Sequence, residues 1–328
     1  MLILTEREVA ELLDLDRLVD ALAAAMRDAS AGAASMPPRI AALVKEHEGF
    51  LAAMPAYLPS SGALTVKLVT LFPRNAGLGM HTHQAVILAF DSATGTPAAL
   101  MDGTHITAAR TAAGSALATR LLARQDAAVL AVLGTGVQAA AHARALPRVR
   151  KLREIRIAGR DGAKAQALAD RLGGELGLTV RAVGSYREAL DGADVVAATT
   201  HSPEPVVRRE WLRPGVHVNS VGFNSAGREV DGPTVRDALL VVETRAAALA
   251  PFPSGSSDLR LAIGEGLIEA GHVHAEVGEL VAGTRPGRTS PAQITLYKSV
   301  GVAVQDAAAA ALVLEEARRR GVGREVEL

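Results

Sequence analysis

Residues 127–145, AAVLAVLGTGVQAAAHARA, decide how this chain is read, because a short apolar run passes through a glycine turn straight into a helical pattern. Val129 to Leu133 read as a strand covered on both faces, and Gly134 and Gly136 permit a tight turn and close backbone approach. A helix opening near Val137 then offers unpaired N–H groups and the positive end of its dipole to an anion. Such a turn seats a pyrophosphate. Ala139 holds the place of the third glycine of the dinucleotide fingerprint and is small enough for close helix packing. Taken alone, the motif fits one unit of any parallel α/β sheet as well as it fits a dinucleotide site.

Its surroundings carry the weight. Strand candidates at 129–133, 154–158, 179–183, 194–198, 216–221 and 239–242 alternate with helical pattern, the signature of a doubly wound, Rossmann-type parallel sheet. Upstream the rhythm differs. Thr5 and Glu8 form a capping box for a first helix, and a second helix is expected from about Asp16 to Ser30. From Arg39 to Phe90 the apolar runs IAALV, FLAAM, ALTVKLVTLF and QAVILAF alternate with turn residues and read as a mostly antiparallel sheet. A hairpin turn at 91–95 leads to a strand at 97–101, and the Ala- and Leu-rich segment after it predicts a helix over 107–124 with Thr107 as N-cap. The segment 291–320 reads as one long Ala-rich helix leaving the nucleotide domain, and GREVEL at the end as a further strand. The expected fold class is therefore α/β, with an α+β domain over 1–118 and 305–328 and a dinucleotide domain over 119–304.

Composition narrows the class. A chain of 328 residues with 49% hydrophobic and 21% charged residues can bury a large core in two domains of ordinary size. Lys+Arg and Asp+Glu are both 35, so electrostatics gives no case for a nucleic-acid partner or an anionic membrane. The absence of cysteine excludes disulfides and thiolate chemistry. No segment reads as a leader or approaches the ~20 apolar residues of a membrane span, and a cytoplasmic protein is expected.

A few residues stand against their local setting. Arg110 falls in the first turn of the helix expected from Thr107, where a cation opposes the dipole, so either an anion is near or the side chain lies back into solvent. Lys67 lies mid-strand among apolar neighbours and must snorkel out or meet a partner. His81 and His83 would share a strand face as H-x-H, but no third ligand is evident and no metal site is expected.

These motifs, taken in order, add up to a resemblance. The runs VKLVTLFPRN, THQAVILAFDSATGTPAALMDGTHITAARTAAGSALATRLLAR, LGTGVQAAAHARAL, WLRPGVHVNSVG with REVD, and YKSVG with Gln305-Asp306 resemble the ornithine cyclodeaminase/μ-crystallin family over nearly the whole chain. The resemblance implies an N-terminal substrate and dimerisation domain beside a Rossmann domain, a homodimer, NAD(H) or NADP(H), and hydride transfer between α-amino and α-imino acids. By the same resemblance, Arg39, Lys67 and Arg110 bind the substrate α-carboxylate. The chemistry agrees, since a carboxylate beside an imine carbon needs fixed, fork-shaped donors. Lys67 would also stand near enough to the imine nitrogen to act as an acid if burial lowers its pKa. Thr82, Arg110, Thr111, Gly134, Gly136, Val137 and Gln138 match positions that line the cofactor.

Two departures narrow the reaction. Cyclodeaminases of the family carry an aspartate after the NxVGx segment and a glutamate two residues before the Met-Pro pair, where this chain has Asn224 and Ala52. Holding a distal ammonium and managing the proton of an attacking group both call for carboxylates. Asn224 is kept as a candidate catalytic residue in the aspartate's place, and Glu46, Glu48 and Asp231 as acids that could have taken over. The expected activity is reduction of small α-imino acids of the Δ1-pyrroline-2-carboxylate or Δ1-piperideine-2-carboxylate type. Ornithine cyclodeamination, an L-alanine-type dehydrogenase and a non-catalytic NADPH-dependent binding protein are its rivals. Gly159 stands where an NAD-specific acid belongs and Arg160 follows it, which favours NADP(H) and leaves NAD(H) open. Asp161 reads as a helix N-cap.

Overall fold

The computed structural model describes residues 1–224, 227–251 and 254–327. They form two compact units, Met1–Arg110 with Gly301–Leu328, and Thr111–Val300. Along the chain run β1 (Leu2–Leu4), α1 (Glu6–Leu12), α2 (Leu15–Ser30), β2 (Ile40–Val44), β3 (Gly49–Leu58), β4 (Ala63–Leu71), β5 (His83–Phe90), β6 (Pro97–Asp102) and α3 (Thr104–Leu122). Next come β7 (Val129–Leu133), α4 (Val137–Ala145), β8 (Glu154–Ala158), α5 (Gly162–Leu176), β9 (Thr179–Ala182), α6 (Tyr186–Leu190), β10 (Val195–Ala198), β11 (His217–Ser220), α7 (Gly232–Asp237) and β12 (Leu239–Val242). The remainder comprises α8 (Arg245–Ala248), α9 (Ser257–Gly264), β13 (Ala275–Glu276), α10 (Val277–Val281), β14 (Thr295–Lys298), α11 (Ala303–Arg320) and β15 (Arg324–Glu325). Among the described residues no helix is long and apolar enough to cross a membrane.

In the first unit β2 to β6 form an antiparallel meander, β1 joins β6 in parallel, and β15 closes the order as β15-β1-β6-β5-β4-β3-β2. The alternation read from the sequence sets its faces: Ala52, Met54, Ala56 and Leu58 on β3 and Thr65 and Lys67 on β4 are buried, while Leu51, Tyr57 and Leu68 remain exposed. α11 packs against β3 and β4, and α2 lays its buried stripe Leu18, Leu22, Ala25 and Met26 beside it. The Thr5–Glu8 capping box is present, with Thr5 N donating to Glu8 Oε2 at 2.8 Å.

Two expectations for the helices are corrected. α3 begins at Thr104, because the Asp102 carboxylate accepts from Thr104 N and His105 N, whereas Thr107 lies inside the helix and its Oγ1 donates back to Gly103 O. Arg110 thus lies two turns in, so dipole opposition does not explain it. The expected long helix over 291–320 is two elements, β14 and α11, separated at Gly301 (φ +75°).

The second unit is a parallel sheet in the order β13-β12-β14-β11-β10-β7-β8-β9. All six strand candidates are present, and β14 fits between β12 and β11. Every residue of β7 is buried, and each such Val or Leu contributes roughly 1.5–3 kcal/mol. The order reverses between β7 and β10, the switch point at whose C-terminal edge doubly wound sheets hold ligands. Compactness divides the chain at 110/111 and 300/301, against the expected 118/119 and 304/305, and the first division falls inside α3.

Candidate active site

Three cations gather in the antiparallel unit. Lys67 sits at the middle of β4, with Met54 of β3 and Ile87 of β5 as its cross-strand neighbours, and is 2% exposed. Apolar neighbours on both sides leave no route to solvent, so the ammonium needs a counter-charge within the fold. Asp306, in the first turn of α11, supplies it: Lys67 Nζ lies 2.7 Å from Asp306 Oδ2, and Arg110 Nε donates to Asp306 Oδ1 at 3.0 Å. Arg110 Nη1 also donates to Gln305 Oε1 at 3.1 Å. Arg39 Nη2 donates to the carbonyl of Gly301 at 2.8 Å. A Cβ at Gly301 would lie 2.8 Å from Arg110 Nη1, so only glycine lets that backbone approach the guanidinium.

The charges act on one another. Burial pulls Lys67 down to about 8; Asp306 opposes this and the cations Arg110 and Arg39 add to it. Burial pushes Asp306 upward, but Arg110 and Lys67 outweigh it and hold the carboxyl below its ordinary range. Two buried cations, Lys67 and Arg110, share one carboxylate, a surplus of positive charge suited to an anionic ligand. Arg39, Lys67 and Arg110 were all read from the sequence. Asp306, Gln305 and Gly301 were quoted in its motifs without a role, although a buried strand lysine calls for a carboxylate somewhere.

In the parallel-sheet unit β7 delivers the chain to Gly134 (φ +117°), whose N–H donates to Ala158 O at 2.8 Å. A Cβ there would lie 2.7 Å from Thr199 Oγ1, so the turn tolerates only glycine. Gly136 is the N-cap of α4 with open space beside its Cα, and Val137 is 55% exposed. Ala139 is fully buried, as close helix packing requires. Gln138 Oε1 is buried with no hydrogen-bond partner. A cradle closed to a Cβ and an open helix N-terminus fit the pyrophosphate of a dinucleotide, and the orphaned Gln138 acceptor fits a hydroxyl or N–H donor of such a ligand.

Arg160 is exposed after β8 and near enough to Tyr186 to oppose in part the burial that raises the phenol's pKa. A Cβ at Gly159 would meet Thr135 Cγ2 at 2.6 Å. Asp161 caps α5 by accepting from Lys164 N. Thr111 is 9% exposed on α3, and Thr82, half-buried ahead of β5, has its Oγ1 3.2 Å from His83 Nδ1. His81 precedes β5, so the two histidines do not share a strand face, and both are exposed. Asn224 Nδ2 donates to His201 O at 2.8 Å. Ala52 is 1% exposed on β3. Of the substitute acids, Glu46 is exposed, Glu48 pairs with Arg74 at 3.4 Å, and Asp231 accepts from Arg209 N and Thr234 N.

A family model, the ornithine cyclodeaminase/mu-crystallin family, matches residues 1–321. The chain belongs to that family. It is 38% identical over 285 residues to the ketimine reductase mu-crystallin of Mus musculus, covering 87% of this chain and 86% of that protein. Among solved structures it resembles Thermococcus litoralis Δ(1)-pyrroline-2-carboxylate reductase in complex with NADH and L-proline, at 39% identity and TM-score 0.95 over 99% of this chain and 100% of that one. An archaeal alanine dehydrogenase dimer with bound NAD matches at 33% identity and TM-score 0.92, covering 100% and 99%.

Proposed function

We propose that this chain is an NAD(P)H-dependent reductase of small cyclic α-imino acids of the Δ1-pyrroline-2-carboxylate and Δ1-piperideine-2-carboxylate type. The observation that carries the reading is the buried Lys67–Asp306–Arg110 cluster with Arg39 beside it, a surplus of cations built for a carboxylate. Arg39 and Arg110 hold the α-carboxylate, and the apolar neighbours Met54 and Ile87 of Lys67 offer nothing to a distal ammonium. When bound by the parallel-sheet unit, the nicotinamide supplies a hydride for the C=N carbon. Lys67, with its pKa near 8, gives the imine nitrogen its proton and is reprotonated from water, so C=N becomes CH–NH. Asp306 keeps the lysine in place. Thr82, Thr111, Gly134, Gly136, Val137 and Gln138 hold the cofactor, with Asn224 at the loop beyond β11.

Purified protein offered NADPH with Δ1-pyrroline-2-carboxylate, pyruvate plus ammonia, and L-ornithine with NAD+ in separate assays tests the substrate. Fast reduction of the cyclic imine is expected. Faster turnover of pyruvate with ammonia would replace it with an alanine dehydrogenase, and proline released from ornithine would overturn the inference from Ala52 and Asn224. Cofactor binding without turnover of any imine would make the chain a binding protein.

For the cofactor we propose NADPH over NADH. Gly159 leaves no carboxylate for a ribose 2′-hydroxyl, and the exposed Arg160 can meet a 2′-phosphate. Arg160→Ala should weaken NADPH by about ten- to a hundredfold and NADH hardly at all, as one charge-assisted bond is worth roughly 1.5–3 kcal/mol. Equal loss for both cofactors would refute the assignment.

A homodimer is also proposed. Ile40, Ala53, Leu68 and Val86 stand in register across β2 to β5, and Ile40, Leu68 and Val86 are 72%, 36% and 42% exposed. An apolar row of this kind on an open sheet face calls for a cover, and the alanine dehydrogenase relative is described as a dimer. Sedimentation should give twice the chain mass, and Leu68→Glu should return it to the monomer.

A further inference from the structure

The parallel-sheet unit buries a second charge cluster that the proposed chemistry does not use. Glu229, Asp258 and Lys298 are 3%, 1% and 1% exposed. Lys298, the last residue of β14, donates from Nζ to Ser220 Oγ at 3.0 Å and Gly222 O at 2.8 Å, and lies 2.8 Å from Asp258 Oδ2. Asp258 Oδ1 accepts from Glu229 N and Val230 N, both at 2.9 Å. Glu229 Oε1 accepts from Thr200 N at 2.5 Å and Thr200 Oγ1 at 2.8 Å; its Oε2 accepts from Ser220 Oγ and Gly222 N, both at 2.9 Å. Both oxygens are committed, each to one backbone N–H that cannot reverse its direction. A buried charge so completely bonded is costly to disturb.

The positions it ties together matter. Thr200 is the second residue after β10 and Gly222 the second after β11, both at the C-terminal edge of the parallel sheet. Thr199, immediately before Thr200, is the residue against which Gly134 is packed, and its Oγ1 donates to Leu133 O at 2.8 Å. Farther along the same loops, Asn224 Nδ2 donates to His201 O and His201 Nδ1 lies 2.9 Å from Phe223 O. Glu229 therefore spans the roots of two loops whose outer parts are joined through Asn224.

We propose that Glu229, fixed by Lys298 and Asp258, is a positioning residue that sets the shape of the cofactor edge: it holds the β10 and β11 loops in the register that packs Thr199 on the glycine turn and places Asn224. The inference rests on the reading of this unit as the nicotinamide-binding unit. A carboxylate is required at this place. In Glu229→Gln the amide nitrogen, whichever way it turns, faces either Thr200 N–H or Gly222 N–H, and two donors then oppose each other.

The test uses the full chain, with Glu229→Gln and Thr200→Val, followed by NADPH affinity from fluorescence, kcat and KM for Δ1-pyrroline-2-carboxylate, and the melting temperature. For Glu229→Gln, at a temperature where it is folded, NADPH affinity and kcat should each fall about tenfold or more while the imine KM moves less than about threefold. Thr200→Val, which removes the hydroxyl's bond to Glu229 and the one it accepts from Ser202 N but keeps the carboxylate, should shift the same two quantities about two- to threefold. A lower melting temperature with unchanged NADPH affinity and kcat would show a merely structural role and overturn the inference. Should Glu229→Gln fail to fold, an unchanged Thr200→Val overturns it equally. Wild-type protein that binds neither NADPH nor NADH defeats the functional reading and this inference with it, an outcome distinct from wild-type binding with indifferent variants.

Discussion

Both units bury a lysine beside an aspartate at 2.7–2.8 Å, yet the two clusters are built to opposite ends. In the antiparallel unit Lys67 and Arg110 share the single carboxylate of Asp306, with Arg39 near enough to act on Lys67, and positive charge is left over. In the parallel unit two carboxylates, Glu229 and Asp258, surround one ammonium, and backbone N–H groups absorb the surplus. Burial penalises both arrangements alike. The difference lies in what completes each: an anion from outside in the first, the protein's own loops in the second. A lysine buried in a fold is therefore no guide to function until the charge around it has been counted.

The comparison breaks most readily at Asp306. Asp306→Ala would leave Lys67 and Arg110 buried without their counter-charge, and a loss of about 3–5 kcal/mol is expected, read from urea unfolding. Imine reduction should fall by about two orders of magnitude. A loss below about 1 kcal/mol would mean that the cations reach solvent or another partner, and the surplus-charge account would go with it.

The pH dependence sharpens the contrast with smaller effects. In the parallel unit burial holds His142 down at about 4, partly opposed by its bond to Gln138 O, and burial with the Arg288 charge holds His217 at about 3. The unfolded chain takes up protons near 6.5 that the folded chain refuses, so stability drops as pH falls from about 6.5 towards those values. At pH 5 each histidine should cost about 2 kcal/mol, read as a shift of the urea midpoint, and no shift would mean that these rings titrate normally. In the antiparallel unit the same sign appears at high pH. Lys67 gives up its proton near 8 when folded and near 10.5 when unfolded, so stability rises between those values while imine reduction declines. Lys67→Arg, which keeps its charge, should show low activity that is flat above pH 8.

The sheet strands were legible where they were bounded by turns or repeated a period. β7, β8 and β12 appear with the expected bounds. β14 was hidden because four residues, TLYK, show no period of their own and run towards an Ala-rich helix; the break at Gly301 was the available signal. The start of α3 was misplaced because two side chains competed for the role of cap, and the Asp102 carboxylate took it from Thr107.

By itself the sequence determined the family, the parallel sheet around the glycine turn and the three cations that stand out against apolar surroundings, since periodicity, glycine and misplaced charge are local properties. Only the tertiary structure decided that Asp306 neutralises two of those cations across a sequence separation of more than 190 residues, and that Glu229, Asp258 and Lys298 close into one cluster. Counter-charges are chosen by distance in space, and in a fold whose last helix returns to its first sheet that distance is not written in chain order.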